Sequence, residues 1–303
     1  MAEGLYRKKY MFQNPCKKVA AIHDLSGLGK VSLTAAIPIL SSMGFQVCPL
    51  PTALLSSNTE IEGYKIFDLT DSMKAIIEHW KTLDVHFDAI YSGFLGSPPQ
   101  IDIVKGFISH FRKKDTLVVI DPVLGDNGKL YSSMNENMIK EMKHLILSAD
   151  VITPNVTEAC ALLDLPYKAK LEEKTIKYIL KSLSDKGPKT VIMTNVNKSD
   201  KKRQTFVYAY SKITKHFWKV CCDYVPANYP GTGDAFTSVV TGCLLQGDSL
   251  PIALDRAVHF ITTAIRASYG YQHDPKHGIY LEKVLPNLSA PFQPGSFILL
   301  DEE

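Results

Sequence analysis

The stretch Leu117-Val118-Val119-Ile120-Asp121-Pro122-Val123-Leu124-Gly125-Asp126 decides the fold class. Four aliphatic residues in a row, without polar alternation, read as a strand buried on both faces, the pattern of a parallel sheet covered by helices. Asp121 closes the strand, Pro122 keeps the exit extended, and Gly125 allows a turn that presents Asp126. Short apolar runs of the same kind lie on either side, at 19–22, 45–50 and 89–91 before it and at 151–153 and 190–193 after it. Helical spacing fills the intervals, at 32–43, 71–83, 100–112, 135–147, 156–163 and 175–183. Such alternation implies a mostly parallel sheet with helices on both faces. Around 204–222 the pattern changes to antiparallel strands, and two C-terminal helices follow. The expected architecture is a three-layer α/β/α sandwich with an antiparallel edge. No repeat or linker divides the chain, so one domain is expected over 17–290, with an N-terminal extension (1–16) and a C-terminal tail (291–303).

The chain has 303 residues, 45% hydrophobic and 21% charged, with a formal net charge of +3. That charge is too small to point to nucleic acid, and much of it sits in Arg7, Lys8, Lys9, Lys17 and Lys18. No apolar run reaches the length of a membrane span or follows the basic residues as a leader would, so neither membrane nor nucleic acid is expected as a partner and a cytoplasmic location is expected. The six cysteines show no paired spacing of the zinc type. The charge run at 198–203 reads as a solvated hairpin tip.

In sheets of this kind ligands gather at the carboxyl ends of the strands, and each polar motif follows a strand. In Pro230-Gly231-Thr232-Gly233-Asp234-Ala235-Phe236 two glycines precede an apolar helix. Free amides at a helix start make an anion site. An aspartate beside bound phosphate would be repelled by it, and service as base for an attacking hydroxyl explains its presence. The motif therefore suggests phosphoryl transfer to an alcohol. Asp121 and Asp126 suit Mg2+, its waters or another cation, or equally a capped turn. In Thr153-Pro154-Asn155-Val156-Thr157-Glu158, Asn155 fits an N-cap with Glu158 at the third helical position; the alternative is that both face metal-bound phosphate through water. Asp24-Leu25-Ser26-Gly27-Leu28-Gly29-Lys30 is not a Walker loop, because Val31 stands where Ser or Thr is required. With Ser56-Ser57-Asn58-Thr59 and residues 91–97 it reads as a small polar lining for a flat heteroaromatic substrate. His23 is weighed evenly between a packed histidine and a substrate contact.

Together these segments resemble the ribokinase superfamily and, within it, the vitamin B6 kinases. The matches are Gly-Thr-Gly-Asp-Ala-Phe at 231–236, Asp-Pro-Val-Leu-Gly-Asp at 121–126, Thr-Pro-Asn-x-x-Glu at 153–158 and Ser-Gly-Phe-Leu-Gly-Ser at 92–97. The resemblance implies a ribokinase-like fold and an ATP-dependent kinase acting on the 5′-hydroxymethyl group of pyridoxal, pyridoxine or pyridoxamine. It implies Asp234 as base, with Gly231, Thr232 and Gly233 supplying amides to the transferring phosphoryl group. Asp24, Ser26, Thr59 and Phe94 would contact the vitamin. Asn155, Thr194, Asn195, Ala227, Asn228, Tyr229 and Pro230 would border the nucleotide. Asp121, Asp126, Thr153 and Glu158 would handle metal: Mg2+ near Asp126 and Glu158, and a monovalent cation such as K+ at Asp121, Thr153 and Thr194. A homodimer is also implied.

Two positions depart from the B6 pattern, which commonly has serine at Asp24 and often tyrosine at Phe94. The run Asp24-x-Ser26-Gly27 is similar to the hydroxymethylpyrimidine kinases of thiamine synthesis. An acidic group there suits a protonated ring nitrogen or an exocyclic amine. The pyrimidine kinase is therefore the alternative enzyme, and a catalytically silent vitamin- or nucleotide-binding module is the alternative from another class.

Overall fold

The computed structural model describes residues 16–199, 204–223, 225, 227–290 and 295–301. Most of the N-terminal extension and the tip of the charged run at 198–203 lie outside the described residues. Six parallel strands form the centre of a ten-stranded sheet: β1 (Lys18–Ser26), β2 (Gln46–Leu55), β4 (Ala89–Ser92), β5 (Leu117–Ile120), β8 (Val151–Ile152) and β9 (Thr190–Ser199), in the order β2-β1-β4-β5-β8-β9. β3 (Ile66–Asp68) adds antiparallel to β2. On the other side β10 (Gln204–Ser211), β11 (Phe217–Asp223) and β12 (Phe297–Leu300) add antiparallel to β9 in turn.

Successive strand residues serve opposite faces. Ala20, Ile22, Ile90, Val118, Ile120 and Ile152 join one core with helices α2 (Thr70–Thr82), α3 (Pro98–Phe111), α4 (Glu136–Leu145), α5 (Val156–Leu162) and α6 (Glu173–Asp185). Val19, Ala89, Tyr91, Val119, Val151 and Ile192 join the other, beneath α1 (Ser32–Ser42), α7 (Thr232–Gln246) and α8 (Leu250–Gly270). A short helix, α9 (Leu281–Val284), closes that face. Each fully buried aliphatic side chain stabilises this packing by about 1.5–3 kcal/mol, and the unbroken apolar run of β5 is explained by helices on both sides. The architecture is the expected three-layer sandwich with its antiparallel edge.

Several local expectations are corrected. Residues 23–26 continue β1 beyond the apolar run at 19–22, because β2 runs alongside as far as Leu55 with a register shift between His23 and Leu25. Gly125 and Asp126 form β6, a short ladder paired with β7 (Lys129–Leu130). The turn between them is Asn127-Gly128, with φ of 50° and 79°, the positive pair that a tight hairpin turn requires. Residues 297–300, assigned by sequence to the tail, form the edge strand β12.

Candidate active site

The site lies where β1, β4, β5, β8 and β9 end and α7 begins. Gly231 is the N-cap of α7 at φ 82°. A Cβ on it would come within 2.1 Å of the Lys30 carbonyl oxygen, so both its conformation and its neighbour require glycine. Asp234 falls in the first turn of that helix. Its Oδ2 accepts from the Ser32 amide at 2.7 Å, and its Oδ1 lies 3.0 Å from His23 Nε2. Ser32 has φ 52°, a rare conformation for a non-glycine residue. It is held at the point where its amide meets the aspartate. The other ring nitrogen, His23 Nδ1, lies 2.8 Å from Asp24 Oδ1. Gly93 leaves room for this ring, since a Cβ there would sit 2.0 Å from His23 Cδ2.

Burial opposes the charge on His23, but Asp234 and Asp24 outweigh it and push the imidazole up to about 10. For Asp234 burial acts upward, yet the His23 charge and hydrogen bond and the Ser32 amide hold it below the usual carboxylate range. The aspartate is therefore ionised at neutral pH, as a base must be.

Below it, the Thr237 hydroxyl donates to Asp121 Oδ2 at 3.1 Å and lies 3.0 Å from Thr153 Oγ1. Burial and the nearby Asp234 raise Asp121 to about 7. Burial and Asp121 raise Glu158 well above the usual range. Glu158 is clamped by backbone: Oε1 accepts from Leu124 N at 3.1 Å and Oε2 from Asn155 N at 2.8 Å. Asn155 completes the capping box through Glu158 N at 3.1 Å, and its Nδ2 donates to the Gly125 carbonyl at 2.7 Å. These bonds bear out the capping reading of the motif, a helix cap that also fastens the β6–β7 turn. Asn155→Ala is expected to lower unfolding free energy by roughly 0.5–2 kcal/mol, measured by denaturant titration.

Asp126 engages Asn127 through both carboxylate oxygens, at 2.8 and 2.9 Å, and among the described residues no group of three or more His, Cys, Asp or Glu is placed to hold a metal ion. The buried carboxyls of Asp121 and Glu158 still favour a nearby cation, and such a donor set fits a metal delivered on phosphates and reached through water.

Of the residues expected to contact the vitamin, Asp24 and Ser26 are buried at the end of β1, and Phe94 is partly buried after β4. The hydroxyls of Ser26 and Ser92 are buried without a hydrogen-bond partner among the described residues. Thr59 is exposed. Its neighbours Ser57 and Asn58 are buried, and Asn58 donates to the Lys276 carbonyl at 2.6 Å. Gln100, fully buried, accepts from Gly96 N at 2.8 Å and donates to the Thr52 carbonyl at 2.9 Å, which fixes the Phe94 loop to β2. Of the residues that sequence reasoning passed over, Gln100 and Thr237 carry no local signal. Both lie within apolar helical patterns.

At the start of α5, a cleft of about 280 Å³ is lined by Asp126, Asn127, Thr157, Tyr167 and Asn195, among others. Thr194, next to Asn195, pairs with Asn155 through an isolated parallel bridge. Ala227, Asn228, Tyr229 and Pro230 lead from β11 into α7, with Tyr229 buried and Asn228 exposed.

Residues 33–279 match the model of the phosphomethylpyrimidine kinase family. A Bacteroides thetaiotaomicron protein, provisionally named a phosphomethylpyrimidine kinase and crystallised with pyridoxal, is 60% identical with a TM-score of 0.91 over 94% of this chain and 100% of that one. The pyridoxal kinase of Lactobacillus plantarum is 30% identical with a TM-score of 0.82, covering 91% of this chain and 97% of the other. A pyridoxal kinase of Burkholderia lata is 25% identical over 84% of this chain and 89% of its own. With a family match across most of its length and the ribokinase-like sandwich around its site, the chain belongs to the phosphomethylpyrimidine kinase family of the ribokinase superfamily, whose members transfer phosphate to an alcohol group.

Proposed function

We propose that this kinase phosphorylates the 5′-hydroxymethyl group of a vitamin B6 vitamer with ATP. The observation that carries the reading is an ionised, partly buried Asp234 in the first turn of a glycine-capped helix, next to a pocket edge formed by Asp24, Ser26 and Phe94. The similarity to a protein crystallised with pyridoxal supports the choice of vitamin. Asp234 accepts the hydroxyl proton as the substrate oxygen bonds to the γ-phosphorus and ADP departs. A loose phosphoryl-transfer transition state needs alignment and charge stabilisation more than a strong base, so a low-pKa carboxylate suffices. The α7 amides at Thr232 and Gly233 stabilise the charge on the moving group. The unpartnered Ser26 hydroxyl and Asp24 hold the ring and its nitrogen or amine.

ATP borders the cleft at Asn195 and the 227–230 segment, with Asn155 and Thr194 supporting that wall from beneath. Mg2+ arriving with ATP would neutralise the phosphate charge near Asp126 and Glu158, and K+ suits Asp121, Thr153 and Thr194. The protein acts as a homodimer in the cytoplasm; no helix among the described residues is long and apolar enough to cross a membrane.

A second reading, hydroxymethylpyrimidine kinase, is favoured by the family model and by the Asp24-x-Ser26 run. Turnover with pyridoxal, pyridoxine, pyridoxamine and hydroxymethylpyrimidine, with product phosphate located by mass spectrometry, separates them. The expected result is a kcat/KM for at least one vitamer at least tenfold above that for the pyrimidine. The reverse ranking establishes the second reading, and no turnover of any of the four favours a binding module.

A further inference from the structure

His23 has no part in the transfer as described above, yet it touches both sides of the site. It is 2% exposed, and its ring nitrogens face Asp24 Oδ1 at 2.8 Å and Asp234 Oδ1 at 3.0 Å. An ionised carboxylate accepts hydrogen bonds and donates none. The Asp24 and Phe94 amides also approach Nδ1, at 3.0 and 3.2 Å, and would serve a lone pair there; the Asp24 carboxylate comes nearer, and with two carboxylate acceptors on one ring each nitrogen carries a proton. The other ionisable groups facing the ring are Tyr91, edge-on from β4 with centroids 6.3 Å apart, and Asp121 at the end of β5, which feels the His23 charge. Neither replaces the two carboxylates. The glycine at position 93 is required by the ring's position, so the backbone is shaped around this bridge.

We propose that His23 is a positioning residue that joins the substrate-reading Asp24 to the base Asp234 as one unit, an imidazolium between two carboxylates with net charge −1. The inference rests on Asp234 being the base. Its consequence is that events at Asp24 are felt at Asp234. In the free enzyme the cation is shared between both acids. A cationic substrate group paired with Asp24 weakens that acid's hold on the ring and leaves the imidazolium more fully to Asp234. The same residue keeps Asp234 ionised and fixes one of its oxygens, while the Ser32 amide fixes the other.

The test uses His23→Leu and His23→Gln in the full chain, read by kcat, KM and the pH profile from 5 to 10, beside thermal midpoints. Removal of the cation is expected to lower kcat roughly 10²-fold and to move the acid limb of the profile to higher pH. Asp24→Asn is expected to shift that limb in the wild-type background and to have no further effect on it in His23→Leu. A purely packing role would lower the thermal midpoint and leave the limb in place, and that result overturns the proposal. If both His23 variants fail to fold, 15N-labelled imidazole spectra of the wild type and Asp24→Asn decide. Both His23 nitrogens are expected to be protonated at pH 8, with the ring deprotonating at lower pH in Asp24→Asn. A neutral ring at pH 8 overturns the proposal. Full turnover by Asp234→Ala would instead remove the base assignment, and the spectra are read independently of turnover.

Discussion

Asp234→Ala is expected to reduce kcat by roughly 10²–10⁴-fold while KM for ATP stays within about twofold. The side chain sits in the first turn of α7 with both oxygens already oriented, one by His23 and one by Ser32, so its removal deletes a positioned proton acceptor. The expected loss corresponds to about 3–5 kcal/mol of transition-state stabilisation. The fold should tolerate the change, because the α7 core below it (Phe236, Val239, Val240, Cys243) remains packed. The variant does leave the buried His23 without one partner, so Asp234→Asn is the companion: it keeps an oxygen facing the ring but cannot take the proton. Steady-state kinetics with equilibrium nucleotide binding checks both. Turnover within threefold of wild type in the two variants would remove Asp234 as the base.

The two glycines of the same motif should separate when each is replaced by alanine. Gly231→Ala is expected to abolish most activity and to destabilise the protein. Its φ of 82° is costly for a side chain, and the new methyl would press on the Lys30 carbonyl at 2.1 Å. Backbone strain of this kind costs about 1–3 kcal/mol, and the clash must be relieved by moving the Lys30–Val31 segment that carries Ser32. Misplacing a helix-N-terminal amide in a site of this kind costs on the order of 10²–10³ in kcat. At Gly233 a Cβ would meet nothing within 4 Å, so Gly233→Ala should leave the thermal midpoint close to wild type. Its methyl instead enters the space over the helix start, where the phosphoryl group is proposed to lie, and kcat should fall with stability intact. Equal thermal midpoints for the two variants would contradict the strained placement of Gly231.

What the sequence makes legible depends on how local the determining interaction is. The apolar run of β5 announces a doubly covered strand because its residues carry the whole signal, and the Gly-x-Gly-Asp and Asn-x-x-Glu patterns announce helix starts for the same reason. His23 could not be assigned from sequence, because its deciding partner is 211 residues away and a histidine after an apolar run is equally at home in a core. Ser32 gives no warning of its positive φ, since nothing in a serine signals the strain imposed by the aspartate that meets its amide. Nothing local separates Asn58 from Thr59 in burial; the Lys276 carbonyl that accepts from Asn58 lies far along the chain. The strands β3 and β12 were missed because they pair at sheet edges with largely exposed side chains, so their existence rests on backbone hydrogen bonds more than on an apolar pattern.

The Lys30 segment is stapled at its far side as well. Its amide donates to the His277 carbonyl at 2.8 Å, its ammonium meets Glu282 at 2.5 Å, and it bridges to Gly278, while Asn58 holds Lys276. A ribosome delivers these partners nearly 250 positions apart, so the first tenth of the chain must wait for the last tenth before this wall of the pocket can be built. Contacts of such separation form late because loop closure precedes their reward. A chain ended before residue 276 can lay down the parallel sheet as far as β9 and still lack the partners that hold the Lys30 segment in place.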